Sequence, residues 1–270
     1  MELITIILSS LLAAISPAGL IIDSVVENTL RSQVEDVEQL DVRIDSTPGY
    51  QVLQGKVDRV RIASRGVRPI RDLRIAVAEL ETDPINVDLQ RLQNEGEKAL
   101  PKALRQPFRG AVRLAISESD LNQALESPNI KSRLEGVINS FVEEASEASA
   151  SSFKILKARA DFLGSNRLGL RLQLQQSQTH KDVSEPPEPV EIKLEVGLNV
   201  VVGRSLQLSD PKGIVNGRRL STRLLRGLAE GLSEELDLRR LENRGITARM
   251  LHLNVTDEEM HIAAFIQVEP

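Results

Sequence analysis

Leucine occupies every even position from 168 to 174 (Leu168, Leu170, Leu172, Leu174), between Arg167, Gly169, Arg171, Gln173 and Gln175. A second alternating run follows at 191–202, where Ile192, Leu194, Val196, Leu198, Val200 and Val202 face mostly polar neighbours. Successive side chains of a strand point to opposite faces, so each run predicts a strand with one aliphatic and one wet face. The same period predicts strands near 40–46, 50–65, 71–79 and 84–90. The second of these sets Val60 and Ile62 against Arg59, Arg61 and Arg65; the third carries Leu73, Ile75 and Val77; the fourth carries Ile85, Val87 and Leu89. A strand at 108–116 has Val112, Leu114 and Ile116 in register. Strands at 153–163 and 167–177 flank Gly164-Ser165-Asn166, which reads as a hairpin turn. The chain closes on a hairpin, 250–255 with 259–268.

Elsewhere the apolar period is helical. Ile22, Val26, Leu30 and Val34 mark an amphipathic helix over about 20–34. Ser117, with Asp120 three residues on, reads as the N-cap of a short helix carrying Leu121 and Leu125. Pro128 opens a longer helix, to about 148, with the stripe Ile130, Leu134, Val137, Ile138 and Phe141. Another, about 217–242, carries Leu224, Leu225, Leu228, Leu232 and Leu236 and ends at Gly245. Residues 93–107 and the proline-rich 178–189 are polar loops. Strands follow strands without crossover helices, so the fold class is α+β: a long, curved, mostly antiparallel sheet wrapped around helices. The predicted organisation is an apolar anchor or signal-like segment at 1–22 and a single domain at 23–270. Residues 3–22 carry no charge, which is long enough for a membrane span, and Ser16-Pro17-Ala18 offers a small-residue cleavage pattern. The usual basic residues before such a segment are missing, and Pro17 and Gly19 interrupt it.

Composition sharpens the pattern. Hydrophobic residues make up 41% of the 270 residues, yet aromatics only 2%, with no Trp and Tyr50 as the single Tyr. The core is therefore aliphatic, and the stacking platforms used by nucleic-acid binders are missing. A net charge of -5 also argues against nucleic acid as a partner. With no cysteine, disulfides, Cys-ligated zinc and thiol catalysis are excluded.

Candidate chemistry is sparse. A turn centred on Thr256-Asp257 would set His252 opposite His261 on a polar face, but no third ligand accompanies them, and they read as solvent-exposed bystanders. No serine sits in a nucleophile elbow, no glycine run forms a phosphate loop, and no acid–base pair stands out, so no enzyme, metal or cofactor is expected. One charge pattern is distinctive: seven basic residues between Lys56 and Arg74 against Asp58 and Asp72. Arg59, Arg61 and Arg65 share a strand face and match phosphate geometry, although pairing with neighbouring acidic strands would explain them equally well. A second basic group, Arg218, Arg219, Arg223 and Arg226, opens the last long helix, against the helix dipole.

The stretch Gly55-Lys56-Val57-Asp58-Arg59-Val60, with Ile62, Gly66-Val67 and Leu73 following, resembles the bacterial family of mycobacterial lipomannan elongation factor-like (LmeA-like) proteins. There a glycine opens a strand of the form G-x-hydrophobic-x-x-hydrophobic and a second glycine follows about ten residues later. Residues 112–125 (VRLAISESDLNQAL) are similar to its second signature, a strand running into a short helix. The resemblance implies a phospholipid-binding protein outside the cytoplasmic membrane, shaped like the tubular lipid-binding modules, and it supplies no catalytic residues. The aliphatic faces then become candidate acyl-chain walls: Val60, Ile62, Leu73, Ile75, Leu134, Ile138, Leu170, Leu172, Leu194, Val196 and Leu228. Arg59, Arg61 and Arg65 become candidate head-group ligands. The expected partners are a phospholipid or other anionic lipid and the membrane surface. The competing reading is an envelope scaffold whose sheet and helices fill their own core.

Overall fold

The computed structural model of the chain describes residues 27, 30, 31, 34–95, 100–145, 152–176 and 188–270. The apolar run 3–22 and most of the proline-rich loop lie outside the described residues. The alternating segments form strands joined by antiparallel pairing throughout. They are distributed over two sheets. The first contains β1 (Asp36–Asp45), β3 (Arg59–Ile70), β4 (Leu73–Thr82), β6 (Phe108–Ser117), β12 (Ile246–Val255) and β13 (Glu259–Val268), in the order β1-β3-β4-β6-β13-β12. The second contains β7 (Phe153–Phe162), β8 (Arg167–Gln176), β9 (Val190–Val201), β10 (Ser205–Val215) and β11 (Arg218–Arg219), in the order β11-β10-β9-β8-β7. A small ribbon pairs β2 (Lys56–Val57) with β5 (Ile85–Asn86).

The chain's closing hairpin completes the first sheet, because β13 inserts between β6 and β12. The two sheets are joined at turns. Ser165 and Asn166 adopt φ of 49° and 56°, the left-handed pair that a tight hairpin requires. Asn166 also staples this turn to the first sheet: its side-chain oxygen accepts from the Val255 N–H at 2.7 Å, and its own N–H donates to the Val255 carbonyl at 3.3 Å. A second joint runs from the Met250 N–H to the Gly203 carbonyl, 2.7 Å. Around these joints Phe162, Leu198, Leu253 and Val255 are buried in one cluster drawn from both sheets.

Helices cover the second sheet. Ser117 caps α3 (Glu118–Glu126) as its sequence predicts, accepting from the Asp120 N–H, and α4 (Pro128–Ala145) follows. Both pack beside β7 and give that edge strand the hydrogen bonds a neighbouring strand would supply. Asn122 on α3 accepts from the Ala160 N–H (2.8 Å) and donates to the Ala160 carbonyl (2.9 Å). Glu118 accepts from the Phe162 N–H, Glu135 on α4 from the Ile155 N–H, and Asn139 on α4 from the Phe153 N–H. On β10, α5 (Thr222–Glu235) packs over Gly213, where an added Cβ would come within 2.8 Å of Leu225 and 3.1 Å of Leu194.

Several expectations are corrected. The predicted strand at 50–65 begins instead as a 3-10 turn (Gly49–Gln54), closed by Gly55 at φ 77°, and only then becomes β2 and β3. The predicted strand at 84–90 is only Ile85–Asn86, because Asp88 accepts the Arg91 N–H at 3.0 Å and starts α1 (Leu89–Glu95); a short α2 (Leu100–Ala103) precedes β6. The helix expected at 217–242 is Thr222–Glu235, capped by Ser221, followed by a 3-10 segment (Leu238–Arg244) ending at Gly245. Arg218 and Arg219 pair with β10 in β11 and do not sit on the helix dipole. Finally, the last hairpin turns at Asp257-Glu258, one residue later than predicted, with the Thr256 N–H donating to the Glu259 carbonyl at 2.9 Å, so His252 faces Ala263 and His261 faces Asn254. His261 instead contacts Glu259 at 3.2 Å, and no group of three metal-ligating side chains occurs among the described residues.

Candidate functional site

On the first sheet the inward side chains line up across strands. Val42 pairs with Ile62, Ile62 with Leu80, Leu80 with Val112, and Val112 with Ala264. The adjacent row is Leu40, Ser64, Ala78, Leu114 and Ile262. Its centre is smaller than its flanks, since Ser64 and Ala78 sit between leucines. Above it lies a helical turn that carries Leu30, which is buried, with Val34 beyond. Arg31 ties that turn down by donating to the Val37 carbonyl, and it pairs with Glu27 one turn earlier, both at 3.2 Å.

Between turn and sheet remains a cavity of about 210 Å³, walled by Leu30, Val34, Val37, Leu40, Ile62, Val67, Ile75, Leu80 and Leu114 among others. The one hydroxyl in this wall belongs to Ser64, and it donates to the Ala78 carbonyl at 2.9 Å. A satisfied hydroxyl leaves the wall apolar in effect, because no polar group needs a partner from the cavity's contents. The arrangement can take hydrocarbon by shape and solvation, and it offers no directed chemistry.

A family model described as LmeA-like phospholipid-binding matches residues 13–265. The chain belongs to the LmeA-like phospholipid-binding family. Comparison with curated proteins gives no match, and comparison with solved structures gives none either. In this member of the LmeA-like family, the matched span includes the second sheet, the helices α1 to α5 and the first sheet up to the middle of β13.

The candidate wall residues separate into three groups. Ile62 and Ile75 line the cavity. Val60, fully enclosed, and Leu73 pack in clusters beside it. Leu134 and Ile138 from α4 pack with Leu170 and Leu172 on the second sheet. Leu194 approaches Gly213 under α5, and Val196 belongs to the cluster joining the sheets. Leu228 lies on α5, and its side chain is outside the described ones.

Arg59, Arg61 and Arg65 share a face, as the alternation predicts, but it is the face turned away from the cavity. Arg59 pairs with Glu81 at 3.1 Å and Arg61 with Asp45. Hydrogen bonds from Arg61 and then Arg43 hold the Asp45 carboxyl below the usual carboxylate range. Arg113, forking onto both Glu79 oxygens at 2.7 and 2.8 Å, does the same for Glu79. Arg65 has no ion pair among the described residues and adds to the positive field at Glu79.

Sequence reading missed Leu40, Ser64, Ala78 and Leu80 as neighbours of one space. The alternation was visible at each, but their convergence depends on β3 pairing with both β1 and β4.

Proposed function

We propose that the protein is a non-catalytic phospholipid carrier or holder of the cell envelope, and that an acyl chain enters between the helical turn carrying Leu30 and the inward face of β1, β3, β4 and β6. The observation that carries this reading is an unfilled aliphatic cavity, with its only hydroxyl internally satisfied, in a chain of a phospholipid-binding family. Each methylene taken from water contributes about 0.8 kcal/mol, so affinity grows with the length of chain enclosed. The cavity is smaller than the roughly 300–1,000 Å³ typical of ligand sites. A full acyl chain therefore requires the turn to lift or the chain to extend past it towards the sheet's end. The uncharged run 3–22 supports a location outside the cytoplasmic membrane, reached by export or kept by anchoring.

The test is native mass spectrometry of the full chain with lipid extraction from the same sample. About one phospholipid per chain is expected, with occupancy falling sharply in Ala78→Leu, which places extra carbons in the cavity. A stable, monodisperse, lipid-free protein that takes up no added phospholipid would overturn the reading and favour a self-filled envelope scaffold.

A further inference from the structure

The second sheet has a wet face of unusual charge. Arg159 on β7 stands directly opposite Arg171 on β8, and Arg171 directly opposite Lys193 on β9. Like charges facing each other across strands are unfavourable, so a cationic row crossing three strands works against folding unless something anionic meets it. Internal compensation is partial. Arg159 and Arg171 share the single carboxylate of Asp161, Arg171 by two hydrogen bonds and Arg159 at 3.6 Å; Glu118 reaches Arg159 only at 4.0 Å. Arg167 and Lys212 both face Glu195. Lys154, Lys157 and Lys193 are exposed and have no acidic partner among the described residues. This positive face belongs to a chain whose net charge is -5, so charge is segregated rather than merely abundant.

Two further features indicate the partner. A shallow open groove runs over the face, bordered by Lys157, Arg159, Arg171 and Lys193, with Glu191 the single acidic residue in its lining, so cations outnumber it four to one. Exposed aliphatic side chains accompany the cations: Ile214, 39% exposed, lies opposite Lys193, and Leu156, 40% exposed, sits in the β7 bulge beside Lys157. Cations mixed with exposed aliphatics on a sheet face suit an anionic bilayer surface, where phosphates meet the charges and aliphatic groups enter the interface. A nucleic-acid partner would call for stacking groups, and no outward side chain here is aromatic.

We infer that the outer face of the second sheet, centred on Arg159, Arg171 and Lys193, docks the protein on an anionic phospholipid membrane. This extends the lipid-binding reading by naming the surface at which lipid would be met, but it rests on different residues from the cavity and can fail separately.

The experiment is co-sedimentation of the full chain with phosphatidylcholine vesicles, with and without phosphatidylglycerol. Wild type should bind the anionic vesicles, weaken steeply with added salt, and ignore the neutral ones. The double variant K157E/K193E changes two exposed side chains without ion pairs, and it should lose about tenfold or more in partitioning with an unchanged circular dichroism spectrum. Lys56→Glu with Arg65→Glu, the same charge change on other surfaces, should retain most binding. Equal loss in both double variants, or loss confined to the latter, overturns the inference, as does nucleic-acid binding in place of vesicle binding. Co-purified lipid, measured on each variant, reports the cavity separately: K157E/K193E should keep it, whereas a lipid-free wild type that still docks on vesicles would remove the cavity reading alone.

Discussion

The two sheets present nearly the same pattern in sequence, aliphatic residues alternating with polar ones, and yet their inward faces end differently. The second sheet is covered by long helices. Leu134 and Ile138 of α4 reach Leu172 and Leu174, Leu125 of α3 joins them, and α5 lies against β10 where Gly213 has no side chain to hold it off. Over β1, β3, β4 and β6 of the first sheet, the cover among the described residues is one turn carrying Leu30 with Val34 beyond, and a cavity remains between them. A strand's aliphatic face states a need for cover. Whether it becomes core or binding site depends on how much protein arrives to meet that need, which strand periodicity does not encode.

The largest expected effect tests the filled side. Leu174 is about 2% exposed and sits between Ile155 and Val190 across the strands. Leu174→Ala removes buried methylenes and leaves a void, and it should lower stability by about 2–5 kcal/mol in chemical denaturation. Leu40→Ala, bordering a space that already exists, should cost clearly less. Equal losses would break the contrast between a filled and an unfilled face.

Next is the edge of the second sheet. Asn122 satisfies both backbone groups of Ala160, which is 1% exposed. Asn122→Ala leaves a buried N–H and C=O without partners and should cost about 1–3 kcal/mol. Hydrogen exchange should quicken at Ala160 and its neighbours on β7, leaving β4 of the first sheet protected. Uniform exchange would show the two sheets opening as one unit.

Ala78→Leu isolates the unfilled side. Added methylenes in existing space should shift stability by no more than about 1 kcal/mol in either direction, against the 1–3 kcal/mol loss of overpacking a full core. Lipid occupancy should fall at the same time. A large stability loss without change in bound lipid would mean that the space is not available in solution.

How far this contrast could be read beforehand depends on range. Local signals survived: the Ser117 cap, the Gly164-Ser165-Asn166 turn, the leucine strand and the start of α4 at Pro128 all stand as the sequence predicts. Where one backbone residue decides, periodicity misled. Gly55 in the left-handed region ends a 3-10 turn inside what looked like strand, and a turn centred one residue later, at Asp257-Glu258, moves the partner of His252 two positions, from His261 to Ala263. The cavity was least legible, because its wall draws on five strands and a turn, and β13 reaches it only by inserting beside β6 from the far end of the chain. Strand alternation puts Ile62 and Ile75 on aliphatic faces, but nothing local separates them from Leu170 and Leu172, which have the same pattern beneath α4.

The smallest effect concerns the outer faces. On the first sheet, Arg59, Arg61 and Arg113 are answered across strands by Glu81, Asp45 and Glu79, with Arg65 left over; on the second, three lysines have no acidic partner among the described residues. The Glu79 carboxyl, ordinarily near 4.5, is held lower in the folded protein, chiefly by its hydrogen bonds with Arg113. A depressed carboxylate stabilises the fold above its unfolded value and loses that contribution as pH falls through the lower folded value. Melting temperature should therefore decline as pH drops below about 4.5, and Arg113→Gln should flatten that decline slightly. Both side chains are more than a third exposed, so solvent limits the pair to about 0.2–1 kcal/mol at neutral pH, and added salt should reduce it further. The second sheet should behave oppositely: K157E/K193E relieves uncompensated repulsion in the absence of membrane, so its stability at low salt should hold or rise slightly. A drop there would mean that the cationic row is already balanced within the fold, and the difference between the two outer faces would disappear.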